Sequence, residues 1–126
     1  MIQRKRNLKV LIVDNDDMLR EILHFTLTRR GFIIEEAKNG KEALEKVNKS
    51  KPDLIILDIK MPIMNGFETY RHLRKNPDTK DIPIIFVSSN STAGNIIRNI
   101  QEDLVEFIKK PYAINDLLEQ IKRLLR

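Results

Sequence analysis

Five short apolar runs, each followed by residues whose apolar positions recur at helical spacing, limit the folds open to this chain. The runs cover residues 8–13, 32–37, 54–57, 84–87 and 105–108. The second run is weaker than the others because Glu35 and Glu36 interrupt it. Runs that are apolar at both alternations are typical of strands covered on both faces, as parallel sheets require. The sequence therefore predicts five buried strands.

The segments between these runs carry the start and stop signals of helices. Gly31 follows the first amphipathic segment and Asn76-Pro77 follows the third, so both positions are predicted helix ends. Asn39 and Glu42 have the spacing of a capping pair at the start of the second segment. The stretch 114–125 has the clearest helical periodicity. This alternation predicts an α/β fold, a three-layer α/β/α sandwich with helices on both faces of a parallel sheet.

Composition excludes several classes of protein. The chain has 126 residues, 41% of them hydrophobic and 33% charged, which is typical of one soluble globular domain. Cys is absent, so disulfides, thiolate metal sites and Cys nucleophiles are excluded. The longest uninterrupted apolar runs have four residues, whereas a membrane span needs about 18. We expect a cytoplasmic protein with no membrane partner.

The net charge of +5 is concentrated at the start of the chain. Arg4, Lys5, Arg6 and Lys9 stand among residues 1–9 without an acidic residue. We interpret residues 1–7 as a solvated basic tail and residues 8–126 as the single domain. A contact to nucleic acid or to an acidic partner is the alternative. No zinc-ligand spacing and no aromatic-rich basic strand supports a nucleic-acid partner.

Polar residues follow four of the predicted strands. Asp14 and Asn15 follow the first, Asp58 closes the third, Ser88 follows the fourth, and Lys110 follows the fifth closely. The carboxyl ends of parallel strands meet at one edge of the sheet, where ligands of α/β folds bind. These side chains should therefore converge on one edge of the molecule.

Carboxylates gathered at one edge need a cation to offset their repulsion. Oxygen ligands without Cys or a nearby His suit Mg²⁺ rather than zinc. Lys110 adds a positive charge and Ser88 a hydroxyl donor, so Asp58 would lie in a pocket that receives anions. A carboxylate in such a pocket can attack a phosphoryl group and form an aspartyl phosphate. The lone histidines, His24 and His72, lie on predicted helices, and we interpret both as structural.

Four spaced motifs carry a resemblance to a known family. The acidic stretch 13–16 with its following arginine, the segment 58–66, the pair 88–89 and the pair Lys110-Pro111 resemble the receiver domain of two-component response regulators. The resemblance extends along nearly the whole chain. Within this family the chain is similar to the single-domain chemotaxis regulator. It implies a flavodoxin-like receiver fold with strand order 2-1-3-4-5. It also implies a cis Lys110–Pro111 peptide bond.

The resemblance implies a role for each residue of the phosphoacceptor site. Asp58 would accept a phosphoryl group from the phosphohistidine of a sensor histidine kinase or a phosphotransfer protein. Asp14, Asn15, Asp58 and the backbone carbonyl of Lys60 would hold Mg²⁺. Beyond its own phosphorylation and dephosphorylation, we expect no enzymatic activity.

The resemblance also implies how the signal would leave the site. Ser88 and Lys110 would bind phosphoryl oxygens, and Phe107 would turn inward as the switching aromatic. The face of helix 4, strand 5 and helix 5 would then bind a downstream protein whose identity is unknown. Lys60 and Asn90 occupy the positions that tune phosphate hydrolysis. We expect a monomer or an activation-dependent dimer.

Departures from the family pattern leave an alternative open. Asn15 replaces a metal-binding acid, which predicts weaker Mg²⁺ binding or an interaction module that works without phosphorylation. Asp103 and Leu104 replace the usual Gly-Ala pair before strand 5, so the preceding loop should differ. A flavin carrier shares the fold, but the acidic stretch 14–17 would repel its phosphate. A phosphatase with an Asp nucleophile would need a second Asp where Lys60 stands.

Overall fold

The computed structural model describes residues 7–125, so the basic residues Arg4, Lys5 and Arg6 of the predicted tail lie outside the described residues. Within that range strands and helices alternate as the sequence predicts. Their bounds are β1 Lys9–Val13, α1 Asp17–Arg29, β2 Ile33–Ala37, α2 Gly40–Lys49, β3 Leu54–Asp58, α3 Gly66–Lys75, β4 Ile84–Ser88, α4 Ser91–Arg98, β5 Val105–Lys109 and α5 Ile114–Leu124.

All strands are parallel and lie in the order β2-β1-β3-β4-β5, which confirms the predicted fold. The order reverses at β1, so β1 and β3 are direct neighbours although α1, β2 and α2 separate them in sequence. Val13 is in register with Leu57, and Ser88 is in register with Lys109. The residues that follow these pairs therefore lie side by side at the carboxyl edge of the sheet.

The core lies on both faces of the sheet. All residues of β3 and β4 are buried, because helices cover these central strands on either side. Two apolar clusters result, one around Phe86 and one around Leu117. The edge strand β2 is less covered, and Ile33 is 48% exposed. The interrupted second run nevertheless forms a complete strand, paired with β1 along its whole length. Among residues 7–125, no helix has the length and apolar character that a membrane crossing requires.

The helix boundaries follow the predicted capping residues. Asp16 is the N-cap of α1 and accepts the Leu19 N–H at 3.2 Å. Asn39 caps α2 by accepting the Glu42 N–H at 2.9 Å. Gly31 has a φ of +95°, the left-handed conformation that glycine adopts readily after a helix. The Asp16 carboxylate is therefore engaged in the cap of α1.

Gly66 allows α3 to begin directly against β3. Its N–H donates to the Ile59 carbonyl at 2.9 Å. A Cβ at this position would collide with the Asp58 carbonyl oxygen and lie 2.8 Å from the Ile59 Cα. The start of α3 thus fixes the backbone that carries Asp58.

We expect Gly66→Ala to lower the free energy of unfolding by about 2 kcal/mol, because the added methyl group must push backbone apart in a packed region. Urea denaturation measures the change. Gly31→Asn is the matched control, since no atom lies within 4 Å of a Cβ at Gly31 and Asn tolerates a positive φ. An equal loss in the two variants would contradict this account of Gly66.

Candidate functional site

The strand register brings the predicted residues together at one edge. Asp14, Asp58 and Ser88 are only 4%, 6% and 5% exposed. The Lys110 Nζ lies 3.0 Å from Asp14 Oδ2 and 3.5 Å from Asp58 Oδ1. The Lys110–Pro111 peptide bond is cis, as the resemblance implies. Two buried carboxylates therefore share one ammonium group.

Burial and charge act in opposite directions on this cluster. Burial raises the pKa of Asp58 to about 6, the negative charge of Asp14 adds to the rise, and Lys110 and the Ile59 N–H oppose it. For Lys110, burial lowers the pKa, but the hydrogen bond and charge of Asp14, with those of Asp58, outweigh burial and raise it. The ammonium group stays charged, whereas Asp58 changes its protonation state near neutral pH. One lysine does not fully balance two buried acids.

The donors at this edge fit a magnesium ion. Asp14 and Asp58 supply carboxylates, and the exposed residues Asn15 and Lys60 adjoin them with an amide oxygen and a backbone carbonyl. Within residues 7–125, no three His, Cys, Asp or Glu side chains are grouped as a metal site. Mg²⁺ does not require such a group, because it commonly binds one or two carboxylates and keeps several waters. The site is thus suited to a hydrated Mg²⁺ ion.

A cavity of about 630 Å³ opens beside Asp58. Residues of three strand ends and of α4 line it, among them Asp58, Lys60, Ser88, Asn90, Thr92 and Lys110. The Ser88 Oγ accepts the Asn90 N–H at 3.0 Å, and the Asn90 side chain caps α4 by accepting the Thr92 N–H at 2.8 Å. The hydroxyl group beside the cavity is therefore connected to the first turn of α4.

Phe107 lies half-buried between β5 and α4. A Cβ at Gly94 would be 2.9 Å from the Phe107 Cε2, so the ring packs directly on the helix backbone. The Gln120 Nε2 donates to the Phe107 carbonyl at 3.1 Å and connects α5 to the same residue. Phe107 thus touches or connects to each element of the face predicted to change; its switching role stays a prediction.

Two residues near the site had no role predicted from the sequence, although Arg20 is the arginine of the acidic motif. Arg20 is buried and donates to the Asp14 carbonyl at 2.6 Å. Helical spacing contained a signal for it, because Arg20 shares the inward face of α1 with Leu23 and Leu27. Tyr112 has a buried hydroxyl group without a hydrogen-bond partner among residues 7–125. Burial, with the charges of Asp14 and Asp58, raises the pKa of Tyr112 to about 12, and no sequence pattern indicated this.

The raised pKa of Asp58 predicts a pH-dependent stability. An unfolded Asp has a pKa of about 3.9, so between about pH 4 and about pH 6 the folded state binds more protons, and stability falls as pH rises. Asp58→Asn removes the buried charge. In metal-free buffer we expect this variant to exceed the wild type by about 2 kcal/mol at pH 7.5 and to match it near pH 4.

Urea denaturation at both pH values tests this expectation. Asp103→Asn is the control, because Asp103 is exposed. It precedes β5, whereas Lys110 of the site follows that strand. A constant difference between Asp58→Asn and the wild type across this pH range would contradict the assigned cause.

Comparisons with known proteins agree with this geometry. A family model described as the response regulator receiver domain matches residues 10–122. The response regulator MprA of Mycobacterium leprae is 34% identical over 119 residues, which cover 94% of this chain and 51% of that protein. MprA of Mycobacterium ulcerans is 32% identical over 120 residues, with shares of 95% and 51%. The chain spans about half the length of the curated relatives it matches.

Solved structures give the same result. The chemotaxis response regulator CheY4 of Vibrio cholerae is 30% identical with a TM-score of 0.85, and the match covers 95% of this chain and 100% of that one. The response regulator TrrA of Thermotoga maritima, crystallised in complex with Mg²⁺ and BeF, is 35% identical with a TM-score of 0.82, with shares of 94% and 99%. On fold, motifs and relatives, this chain belongs to the response regulator receiver domain family.

Proposed function

We propose that the chain accepts a phosphoryl group on Asp58 from a phosphohistidine and passes the signal on by a change in its α4–β5–α5 face. The donor is a sensor histidine kinase or a phosphotransfer protein, and the reaction depends on Mg²⁺. One observation carries the proposal. The Asp58 carboxylate is buried at the sheet edge, lies 3.5 Å from the Lys110 Nζ, and borders a cavity of about 630 Å³.

The transfer needs Asp58 as an ionised nucleophile. A carboxylate oxygen of Asp58 attacks phosphorus, the P–N bond of the phosphohistidine breaks, and its electron pair returns to the imidazole nitrogen. With a pKa of about 6, Asp58 is mostly ionised at pH 7.5. Lys110 is positioned to neutralise charge on a phosphoryl oxygen. Mg²⁺ bound by Asp14, Asn15, Asp58 and the Lys60 carbonyl would neutralise further phosphoryl charge.

The phosphoryl group then acts as a new local charge. Lys110 and Ser88 both line the cavity, where the Lys110 Nζ already donates to Asp14 Oδ2 and the Ser88 Oγ accepts the Asn90 N–H. If Ser88 turns to a phosphoryl oxygen, it releases the Asn90 N–H beside the first turn of α4. A local charge that favours one of two arrangements in this way is a common switch. Phe107 packs on α4 and is the side chain that would report the change on the surface.

An exposed apolar stripe on α1 gives the donor protein a place to dock. Met18, Ile22 and Phe25 share one face of the helix and are 71%, 53% and 64% exposed. Beside them an apolar groove of about 460 Å³ runs to Lys110 and Pro111. Lys110 lines both this groove and the cavity beside Asp58, so the two openings adjoin at this residue. Large exposed apolar side chains in one row are typical of interaction surfaces.

The proposal extends to the domain bounds, the cell compartment and the downstream partner. We place the receiver domain at residues 8–126, with residues 1–7 as a basic tail, in the cytoplasm with its phosphodonor. The downstream partner is a protein that binds the α4–β5–α5 face, either to a monomer or to a dimer formed on activation. Lys60 and Asn90, which border the cavity, are the residues proposed to tune the lifetime of the phosphoryl group.

A phosphorylation-independent interaction module is the second candidate. It is favoured by Asn15, which stands where the family has a metal-binding acid and supplies no negative charge. The two candidates differ in their response to Mg²⁺ and a phosphoryl analogue.

We expect Mg²⁺ followed by beryllium fluoride to shift the amide resonances of Asp58, Ser88, Phe107 and Lys110. The analogue completes an anionic group on the Asp58 carboxylate, so the donors around it must rearrange. Amide NMR titration is the measurement, and Asp58→Asn is the control in which the shifts should vanish. Spectra that stay unchanged in a large excess of Mg²⁺ and beryllium fluoride would favour the second candidate.

Asn15→Asp should tighten Mg²⁺ binding by about tenfold, because one added carboxylate near the ion contributes about 1.4 kcal/mol at this partly solvated edge. Mg²⁺ titration followed by NMR gives both affinities. Asp16→Asn is the matched control, since the Asp16 side chain caps α1 and its change should leave the affinity within about twofold. Equal affinities of Asn15→Asp and wild type would mean that position 15 is not a ligand.

A further inference from the structure

A chain of polar contacts runs from the metal-binding edge to the surface of α1. Its centre is Arg20, which is 8% exposed. The guanidinium group donates to the Asp14 carbonyl at 2.6 Å, to Asp17 Oδ1 at 2.5 Å and to Glu36 Oε1 at 3.0 Å. The three acceptors lie on different parts of the chain, so the planar guanidinium group ties β1, α1 and β2 together.

Glu36 holds this arginine in place from the neighbouring strand. Its Oε1 faces Arg20, and its Oε2 lies 2.6 Å from the His24 Nδ1. The Lys46 Nζ donates to the Glu36 backbone carbonyl. Burial raises the pKa of Glu36, but hydrogen bonds from His24 and Arg20 outweigh burial and lower it. Glu36 is therefore an ionised anchor with contacts from α1 and α2.

The contact to the Asp14 carbonyl fixes the residue that the metal site most needs. Asp14 accepts the Asp16 N–H on Oδ1 at 2.9 Å and the Lys110 Nζ on Oδ2 at 3.0 Å. Arg20 adds a third restraint on the backbone of the same residue. Because Asn15 contributes no charge, Asp14 is the single acid that the end of β1 offers to Mg²⁺. A small displacement of Asp14 thus affects one of the two carboxylates, Asp14 and Asp58, that this edge offers to Mg²⁺.

We infer that Glu36, acting through Arg20, is a positioning residue for Mg²⁺ binding at Asp14. Removing a group that orients a metal ligand without touching the metal commonly lowers the metal affinity by about 10–100-fold. The inference rests on the proposed function, because it assumes that the edge at Asp14 and Asp58 binds Mg²⁺.

The test compares Mg²⁺ affinity among variants of neighbouring positions. Glu36→Leu removes the anchor and should weaken Mg²⁺ binding by about tenfold or more. Glu36→Gln keeps an acceptor for the Arg20 Nε and should recover most of that loss, on the order of threefold below wild type. Glu35→Leu is the matched control, because Glu35 pairs with Lys9 rather than with Arg20, and it should leave the affinity unchanged.

A second measurement in metal-free buffer separates positioning from general stability. The Asp16 N–H donates to Asp14 Oδ1, so its hydrogen exchange reports the order of this loop. Glu36→Leu should speed exchange at Asp16 by about tenfold relative to amides in β3 and β4, beyond any change in global unfolding. If Glu36→Leu folds poorly, Arg20→Lys is measured in its place, because it removes the guanidinium group that donates to the Asp14 carbonyl and should likewise speed exchange at Asp16.

The outcomes distinguish the inference from the proposed function. Wild-type Mg²⁺ affinity in Glu36→Leu, or unchanged exchange at Asp16, would overturn the inference and leave the proposed function intact. A wild-type protein that binds no Mg²⁺ would overturn the proposed function. Even then, exchange at Asp16 decides whether Glu36 positions the Asp14 loop.

Discussion

The site depends on the enclosure of two carboxylates and one ammonium group at the edge of the sheet. Asp14 and Asp58 are both nearly fully buried, and Lys110 is the cation that contacts both. Burying like charges together is unfavourable, and the raised pKa of Asp58 reflects that cost. The cluster persists because the two apolar clusters fix the strand register, which leaves these residues no other position. Core packing thus stabilises an edge at which two buried carboxylates face a single ammonium group.

Because this edge has one ammonium group for two buried carboxylates, the missing negative charge at Asn15 also affects Asp58. A third acid beside Asp58 would raise its pKa further in the absence of a metal ion, so less Asp58 would be ionised at neutral pH. An amide at position 15 lowers this repulsion while it keeps an oxygen that can face a cation. The expected result is a resting site with a more readily ionised nucleophile and a weaker hold on Mg²⁺.

Features that depend on neighbouring residues in the sequence could be predicted, whereas contacts between residues distant in the sequence could not. The strands follow from runs such as 54–57, apolar on both faces, and the shared edge follows from parallel topology alone. The contacts of Arg20 do not follow in this way, because they depend on how β2 lies against α1. In sequence Glu36 is only an interruption in a weak strand, whereas in the fold it pairs with Arg20 and His24. Side-chain partners distant in sequence require the assembled register.

The same distinction between local patterns and distant contacts applies to α4. One set of contacts lies at the start of this helix and another in the loop that follows it. At its start, Asn90 joins the helix cap to Ser88. Beyond its end, Glu102 in the following loop accepts hydrogen bonds from Tyr70 and, at 2.7 Å, from the Arg74 Nε. The departure at Asp103 and Leu104 predicted an unusual loop, but not that α3 would anchor it. Contacts to other elements thus hold the segments on both sides of this eight-residue helix. In the proposed switch, a displacement that begins at Ser88 would reach the packed contact in the middle of this helix, where Phe107 lies on Gly94.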